Sequence, residues 1–203
     1  MIDLAKECGV DMVKFQAGRA EDFARRKKDI KKYKKYELHE GYKRLLFHGN
    51  SIGIPVFFSI WSREYEWLWE FEPYHKLAAR QFSSRNIMMY DTPNTFISIP
   101  YRTRKIQNYN ITDSMPLHCV SRYPAEKPHL EYIPLLRKYL KRDVGYSDHT
   151  IGINACVKAV KEYGAVVIEK HFTFAHDFGQ LRDHRLSATP EEMREMVRKL
   201  KGE

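Results

Sequence analysis

The chain has 203 residues, of which 43% are hydrophobic and 13% aromatic, and it carries a formal net charge of +9. This length and composition suit one domain with a sizeable core and exclude a disordered chain. No apolar run approaches the roughly 18 residues of a membrane-spanning helix, and the N-terminal MIDLAKECGVD lacks the pattern of a secretory signal. Cys8, Cys119 and Cys156 form no C-x-x-C pair, which predicts free thiols in a reducing compartment and therefore a cytoplasmic protein.

The positive charge is concentrated in one segment. Residues 25–36 (RRKKDIKKYKKY) contain eight basic residues and one acidic residue, and the other 191 residues share a net charge of +2. A basic face spread over the fold, which nucleic-acid binding would need, is therefore not indicated. With its two tyrosines the run could contact RNA or a phosphate-rich polymer, but we expect a solvated connection between a strand and a helix.

Short apolar runs alternate with helical patterns along the chain. Seven runs are typical of strands: 11–15, 55–60, 75–79, 95–99, 115–120, 144–147 and 166–172. Residues 1–8 and six later segments are typical of helices, the later ones being 39–51, 63–71, 84–90, 129–141, 152–163 and 190–201. The last helix should begin with a Thr189 cap and Pro190 in its first turn, and the helix before it should place Ile153, Val157 and Val160 on one face.

Strands separated by helices predict parallel β-α-β units. Seven such strands in a row are too many for most small sheets, so we expect closure into a TIM-type (β/α) barrel. Because that barrel has eight strands, the pattern predicts an incomplete barrel with about seven parallel strands.

In such a barrel the catalytic groups stand at the carboxyl ends of the strands. The residues at the predicted ends are Lys14, Gln16, Ser59, Lys76, Ser98, Ser121, Ser147, Asp148, His149, Lys170 and His171. Lysines and hydroxyls together suit a phosphate and a carboxylate, and two neutral imidazoles suit a divalent transition metal such as Mn²⁺ or Zn²⁺. Each residue alone has an ordinary structural explanation, but the set indicates a site.

These residues stand in motifs that resemble the sialic acid synthase family, the NeuB group of phosphoenolpyruvate-condensing enzymes. The five motifs, in the family's order, are AKECGVDMVKFQ, KYELHEGYKRLLFHGNSIGIPVFFS, LHCVSRYPAEKPHLEYIPLL, GYSDHT with GAVVIEKHFT, and LRDHRLSATPEEMREMV. They are similar to the family's second-strand segment, the following helix and strand, the sixth-strand motif, the most specific histidine pair, and the closing segment. Together they cover most of the chain.

The resemblance implies condensation of phosphoenolpyruvate with an N-acetylhexosamine aldehyde, of the N-acetylmannosamine type, to a nonulosonic acid and phosphate. It implies that His149 and His171 bind a divalent metal, with Mn²⁺ expected first, which polarises the aldehyde carbonyl. The phosphate and the carboxylate would be held by residues that orient the enol carbon, namely Lys14, Lys76, Ser98 and Ser147. Ser121 matches a further contact, and Asp183 matches an aspartate that contacts the sugar. Gln16 and Ser59 stand at the same strand ends and complete the predicted substrate-binding set; the predicted catalytic residues are Lys14, Lys76 and Asp183.

The chain also departs from the family pattern. The family's first strand, with its glutamate, has no counterpart, so we expect the first strand of the barrel to be missing. Gln81 and Ala79 stand where a glutamate and a serine are usual, Ile60 replaces a threonine, and SIP at 98–100 replaces STG. The family's C-terminal antifreeze-like domain has no counterpart either, which predicts a single barrel domain over residues 1–203.

These departures keep two alternatives open. The first is a catalytically degenerate barrel module that binds metal and phosphate without turnover. The second is another phosphoenolpyruvate-dependent aldolase-type synthase, which the SDHT and EKHFT motifs disfavour. The missing strand would leave the edges at 11–15 and 166–172 unpaired, and we therefore expect a homo-oligomer or a partner chain. Family members form homodimers, which the resemblance extends to this chain.

Overall fold

The computed structural model describes residues 1–23, 27–35, 37, 41–60, 75–78, 93–102, 111–178 and 182–202. Seven strands lie in this part of the chain: β1 (Val13–Ala17), β2 (Val56–Ile60), β3 (His75–Ala78), β4 (Thr95–Pro100), β5 (Met115–Cys119), β6 (Gly145–Asp148) and β7 (Ile168–Lys170). They form one sheet in chain order, and every neighbouring pair is parallel. All seven predicted strands are confirmed, with shifts of one or two residues at their ends.

Helices connect and cover these strands. They are α1 (Ile2–Glu7), α2 (Ala20–Phe23), α3 (Lys27–Lys34), α4 (Tyr42–Ile52), α5 (Tyr132–Leu140), α6 (Asn154–Lys161) and α7 (Pro190–Lys201), with a 3₁₀ turn at Arg182–Arg185. The helices predicted at 1–8, 39–51, 129–141, 152–163 and 190–201 are confirmed, whereas those predicted at 63–71 and 84–90 lie outside the described residues. Among the described helices, none is both long and apolar enough to cross a membrane.

The basic segment contains a helix where a simple connection was expected. In α3, Ile30 and Tyr33 are half-buried, while Lys27 and Lys31 are exposed. Lys34 lies 3.9 Å from Glu21 of α2. Lys27, Lys31 and Lys34 are therefore exposed to solvent, as predicted for this segment, but they lie on a helix of eight residues after β1.

The inner face of the sheet holds a small apolar cluster below the strand ends. Phe57, Phe96 and Leu117 are buried there, and Met12 and Val167 pack against them from the two edges of the sheet. The sheet therefore curls until its edge strands approach each other, although no backbone ladder joins β1 to β7 among the described residues. This arrangement is an incomplete TIM-type barrel of seven parallel strands, as predicted.

The outer face packs against the helices. α6 buries Ala155, Cys156 and Ala159, whereas Val157 and Val160 are only partly buried. Val160 packs against the core from this helix, and the small residues supply its buried side. At α7 the predicted start is confirmed: Thr189 and Glu192 form a reciprocal capping box, and Pro190 follows the cap.

The N-terminal helix joins the same outer layer. Cys8, at the end of α1, is buried in a cluster with Cys156 of α6 and with Met193 and Met196 of α7. All three cysteines are free, as predicted, and all three are buried. Helix α1 thus covers the outer side of the barrel near the edges of β1 and β7.

Candidate active site at the strand ends

Two imidazoles meet where β6 and β7 end. The register pairs Ser147 with Glu169, which brings His149 and His171, two residues further along each strand, to the same level. Their ring centroids are 5.6 Å apart, with an angle of 64° between the ring planes. The structure thus brings together the two histidines that the sequence predicted to act as a pair.

His149 is held by the loop that follows β5. Its Nδ1 lies 2.7 Å from the carbonyl oxygen of Val120, and its own carbonyl oxygen accepts a hydrogen bond from Ala125 N at 2.7 Å. A carbonyl can only accept, so Nδ1 carries the hydrogen and Nε2 keeps its lone pair. This is the tautomer in which a histidine can donate Nε2 to a metal while its other nitrogen is anchored.

His171 is held in its neutral form. Burial in the protein lowers the pKa of His171 to about 3, and the positive charge of nearby Lys14 and the His149 ring act in the same direction. The residue as a whole is half-buried. A neutral imidazole is the form of histidine that binds metals.

Tyr123 completes the group of rings, and the sequence analysis did not select it. Its ring lies 4.1 Å from that of His149, at an angle of 33°, and 5.9 Å from that of His171, at 84°. The only signal in the sequence is its position in the loop directly after β5, because loops at these strand ends carry functional side chains.

Lys14, Ser147 and Glu169 form a polar group on the inner face beside the histidines. Lys14 Nζ lies 3.1 Å from Glu169 Oε2, and Ser147 Oγ donates to Glu169 Oε1 at 2.6 Å. The lysine and the glutamate side chains are 18% and 19% exposed, so this ion pair is open to exchange. Glu169 was not predicted; its signal was the strand alternation that places residues 169 and 171 on one face.

Asp148 and Lys170 do not join the inner group, contrary to the prediction from the strand ends. Lys170 Nζ lies 2.6 Å from Asp148 Oδ2, and the two side chains are 1% and 0% exposed. Cys156 of α6 also contacts this carboxylate, at 3.4 Å. Both residues therefore face the helix layer, because successive residues of a strand point to opposite sides of the sheet.

The other predicted residues lie on neighbouring strands or outside the described residues. Gln16 pairs in register with buried Ser59, and Ser59 in turn with Lys76, whose side chain lies outside the described part of the chain. Ser98 pairs with Leu117 on the neighbouring strand. Ser121 follows β5 and is half-buried. The departures at Ala79 and Gln81 lie outside the described residues.

Asp183 lies in the 3₁₀ turn that precedes α7. The chain after this turn folds back beside the extension of β7: Ala188 N donates to His171 O at 2.7 Å, and Thr173 N donates to Ala188 O at 3.0 Å. The backbone carbonyl of Asp183 accepts hydrogen bonds from Ser187, which fixes the turn. Asp183 is thus carried on a segment anchored to the strand extension that bears His171.

The donor set fits a divalent cation with two protein ligands. The Nδ1 of His149 is anchored, which leaves Nε2 as its metal-binding nitrogen, His171 is neutral, and the two ring centroids are 5.6 Å apart. No group of three or more His, Cys, Asp or Glu side chains that could hold a metal occurs among the described residues. Water and substrate oxygens would therefore have to complete the coordination, which suits a catalytic rather than a structural metal.

The comparison with protein families identifies the chain. The family model described as NeuB family matches residues 1–65 and 94–202. The chain belongs to the NeuB family. The matched residues include both histidines, Lys14, Ser147 and Asp183, whereas Lys76 lies in the stretch that the family model leaves unmatched.

Individual relatives agree with this assignment. The chain is 32% identical over 218 residues to an uncharacterized protein of Methanocaldococcus jannaschii, a match that covers 99% of this chain and 64% of the relative. It is 29% identical over 227 residues to the pseudaminic acid synthase of Campylobacter jejuni, covering 97% and 66%. The chain thus spans less than two thirds of the archaeal relative and about two thirds of the bacterial one.

A solved structure supports both the fold and the class. The N-acetylneuraminic acid synthetase of Leptospira borgpetersenii, solved with citrate, superposes with a TM-score of 0.84 at 25% identity, covering 100% of this chain and 76% of that one. In sequence and in fold, this NeuB family chain is similar to sugar acid synthases of the sialic acid type.

Proposed function

We propose that the protein condenses phosphoenolpyruvate with an N-acetylhexosamine aldehyde, such as N-acetylmannosamine, to a nonulosonic acid and phosphate, in a reaction that depends on a divalent metal. One observation carries the proposal: two adjacent imidazoles, one of them anchored through Nδ1, lie beside the donors Lys14 and Ser147 on the inner face of neighbouring strands. The pseudaminic acid synthase and the N-acetylneuraminic acid synthetase named above are by name synthases of such sugar acids, and the proposal extends that chemistry to this chain.

The two histidines would hold the cation, and Mn²⁺ is the metal we expect. A bound divalent cation would act as a Lewis acid on the aldehyde carbonyl and make its carbon more electrophilic. His149 contributes through Nε2 because its Nδ1 is occupied by the Val120 carbonyl. The low pKa of His171, about 3, keeps this ligand deprotonated at neutral pH.

Lys14 and Ser147 would hold the anionic end of phosphoenolpyruvate. Both already converge on the two oxygens of one carboxylate, that of Glu169. Donors that fit a carboxylate in this way can bind the carboxylate or the phosphate of the substrate and orient its enol carbon toward the aldehyde. The condensation joins these two carbons, consumes one water and releases phosphate. Further contacts are proposed from strand-end positions for Gln16, Ser59, Lys76, Ser98 and Ser121. Asp183, in the 3₁₀ turn, is proposed to contact the sugar because it matches the family's aspartate.

Phosphate release tests the proposal. Purified protein should release phosphate from phosphoenolpyruvate only when Mn²⁺ and N-acetylmannosamine, or a related N-acetylated aldehyde, are both present. Lys14→Met should remove this release. Lys199→Met should not, because Lys199 pairs with Glu195 on the surface of α7.

Two other results would redirect the assignment. Binding of phosphoenolpyruvate without turnover would indicate the degenerate module that the replacement by Gln81 suggests. Turnover only with aldehydes that lack an N-acetyl group would indicate another phosphoenolpyruvate-dependent synthase. Self-association, or a partner chain at the edges of β1 and β7, also stays a prediction; sedimentation at micromolar concentration would contradict it by showing a stable 24.2 kDa monomer.

A further inference from the structure

A buried polar network lies directly behind the two histidines. The Asp148 carboxylate accepts hydrogen bonds from five groups: Lys170 Nζ at 2.6 Å, Tyr146 Oη at 2.7 Å, Thr150 N at 2.9 Å, Thr150 Oγ1 at 3.1 Å and Cys156 Sγ at 3.4 Å. These donors come from β6, from the turn after it, from α6 and from β7. One carboxylate therefore ties four parts of the fold to each other.

Residues of the network are next to both histidines in the sequence. Asp148 immediately precedes His149, and Lys170 immediately precedes His171. Lys170 Nζ also donates to the Thr150 carbonyl at 2.7 Å, so this lysine binds the side chain of the residue before His149 and the backbone of the residue after it. Because neighbouring side chains of a strand point to opposite faces, fixing the outer residues fixes the direction of the inner imidazoles.

A buried ion pair is a costly way of joining two strands. Apolar residues of similar volume often stabilise a fold as well or better, and the best-attested benefit of a buried polar pair is that it specifies one geometry. Here every donor aims at one carboxylate, and a fully satisfied network is rigid. Because the network lies behind the two adjacent imidazoles, its rigidity can fix the geometry of those rings.

We propose that Asp148 and Lys170 are positioning residues, which set the separation and orientation of the His149 and His171 rings without touching substrate or metal. The part of this inference that concerns metal affinity rests on the proposed function. The part that concerns ring geometry does not, because the anchored tautomer of His149 is a property of the protein alone.

The consequence of removing the carboxylate follows from the contacts. Without the Asp148 carboxylate, the Thr150 amide and hydroxyl lose their acceptor, and of the side-chain ties between this turn and β7 described above only the bond from Lys170 to the Thr150 carbonyl remains. The hydrogen bond from His149 Nδ1 to Val120 O then competes with other ring orientations. Disturbing the partners that orient a metal-binding histidine typically weakens metal binding about 10- to 100-fold.

The test compares Asp148→Asn and Tyr146→Phe with two matched controls. Asp143→Asn changes an exposed aspartate five residues upstream, whose contact is with Arg137 at 4.0 Å. Tyr132→Phe removes a hydroxyl from a tyrosine that packs on His118 instead of bonding Asp148. Imidazole ¹⁵N NMR of the metal-free proteins reports the tautomer of His149, and Mn²⁺ titration followed by electron paramagnetic resonance reports affinity.

We expect a single Nδ1–H tautomer of His149 in the wild type and in both controls. In Asp148→Asn we expect mixed or exchange-broadened His149 signals and a loss of Mn²⁺ affinity of about tenfold or more. Tyr146→Phe, which removes one of five donors, should shift both readouts in the same direction by less. If Asp148→Asn does not fold, Tyr146→Phe decides the question.

The outcomes separate this inference from the proposed function. If the wild type binds no Mn²⁺ but Asp148→Asn still disorders the His149 tautomer, the metal proposal fails and the positioning role stands. If the folded variants keep both the wild-type tautomer and the wild-type affinity, the positioning role is overturned. Loss of Mn²⁺ affinity in the two controls to the same extent would overturn it as well.

Discussion

Strands β6 and β7 carry ion pairs on both of their faces, and the two pairs differ in burial. On the outer face, Lys170 and Asp148 lie 2.6 Å apart with 1% and 0% of their side chains exposed. On the inner face, Glu169 pairs with Lys14 of β1 at 3.1 Å, and 18% and 19% of these side chains are exposed. A pair of lysine and carboxylate is therefore fully buried and fixed on the outer face, whereas a similar pair on the inner face is partly exposed and can exchange its partners.

The difference shows how a barrel separates support from chemistry. The outer carboxylate has every donor it needs from the protein, so no ligand can replace one without leaving a buried group unpaired. The inner carboxylate has two donors, the partly exposed Lys14 and the buried Ser147, and its own side chain is 19% exposed. A substrate anion can compete for those donors at modest cost.

The largest expected effect comes from breaking the outer pair. Lys170→Met leaves the Asp148 charge buried without its cationic partner and should lower the free energy of unfolding by about 3–5 kcal/mol. Lys14→Met breaks the partly exposed pair and should lower it by about 1 kcal/mol at most. Urea unfolding of both variants measures the two values. Equal losses would contradict the distinction between the faces.

The dependence of the free energy of unfolding on pH should show that His118, on the outer side of β5, is neutral in the folded protein. Burial lowers the pKa of His118, which is fully buried on the outer side of β5, from 6.5 to about 4. The unfolded chain then binds the proton more readily, so the stability from neutral His118 is present above pH 6.5 and is lost as the pH falls toward about 4. The expected slope is about 1.4 kcal/mol per pH unit for this one proton.

Substitution of His118 isolates that contribution. His118 Nε2 faces the Pro128 carbonyl at 3.0 Å, and a glutamine can keep this donor without titrating. Urea midpoints measured from pH 7 to pH 4.5 should fall less steeply for His118→Gln than for the wild type. An unchanged slope would mean that His118 does not carry the acid sensitivity.

The smallest effect on the candidate site should come from a variant that lowers stability but leaves both ion pairs intact. Thr189→Ala removes the cap of α7, whose hydroxyl accepts from Glu192 N, and should cost about 1 kcal/mol. Thr189→Ser should keep most of the cap. Because the cap lies outside the network of Asp148, Mn²⁺ affinity should not change in either variant. A drop in affinity with Thr189→Ala would show that stability alone controls the site.

Much of the fold could be predicted because parallel strands and their covering helices leave strong patterns in the sequence. Runs such as PVFFSI and TFISI indicate buried strands, and the start of α7 follows from Thr189 and Pro190. Helix α3 was missed because its charged residues obscure the half-buried Ile30 and Tyr33, so that the segment is typical of a solvated loop.

The site could be predicted only as far as strand ends can be located. His149 and His171 can be predicted from their positions after two strands. The faces on which Asp148, Glu169 and Lys170 lie can be predicted only if it is known which alternate residues of each strand point inward. The apolar run of Val166, Val167 and Ile168 shows no alternation of polar and apolar residues, so the sequence does not reveal which residues of this strand face inward. Tyr123 depends on a loop conformation that no periodic pattern encodes.

Metal stoichiometry tests the central claim, that the inner ends of β6 and β7 form one metal site. Purified wild-type protein should bind about one Mn²⁺ or Zn²⁺ per chain, because the two imidazoles, with ring centroids 5.6 Å apart, are the proposed ligands of a single ion. His149→Ala, His171→Ala and the double variant should each abolish this binding. Equal metal content in the wild type and in the folded double variant would contradict the account.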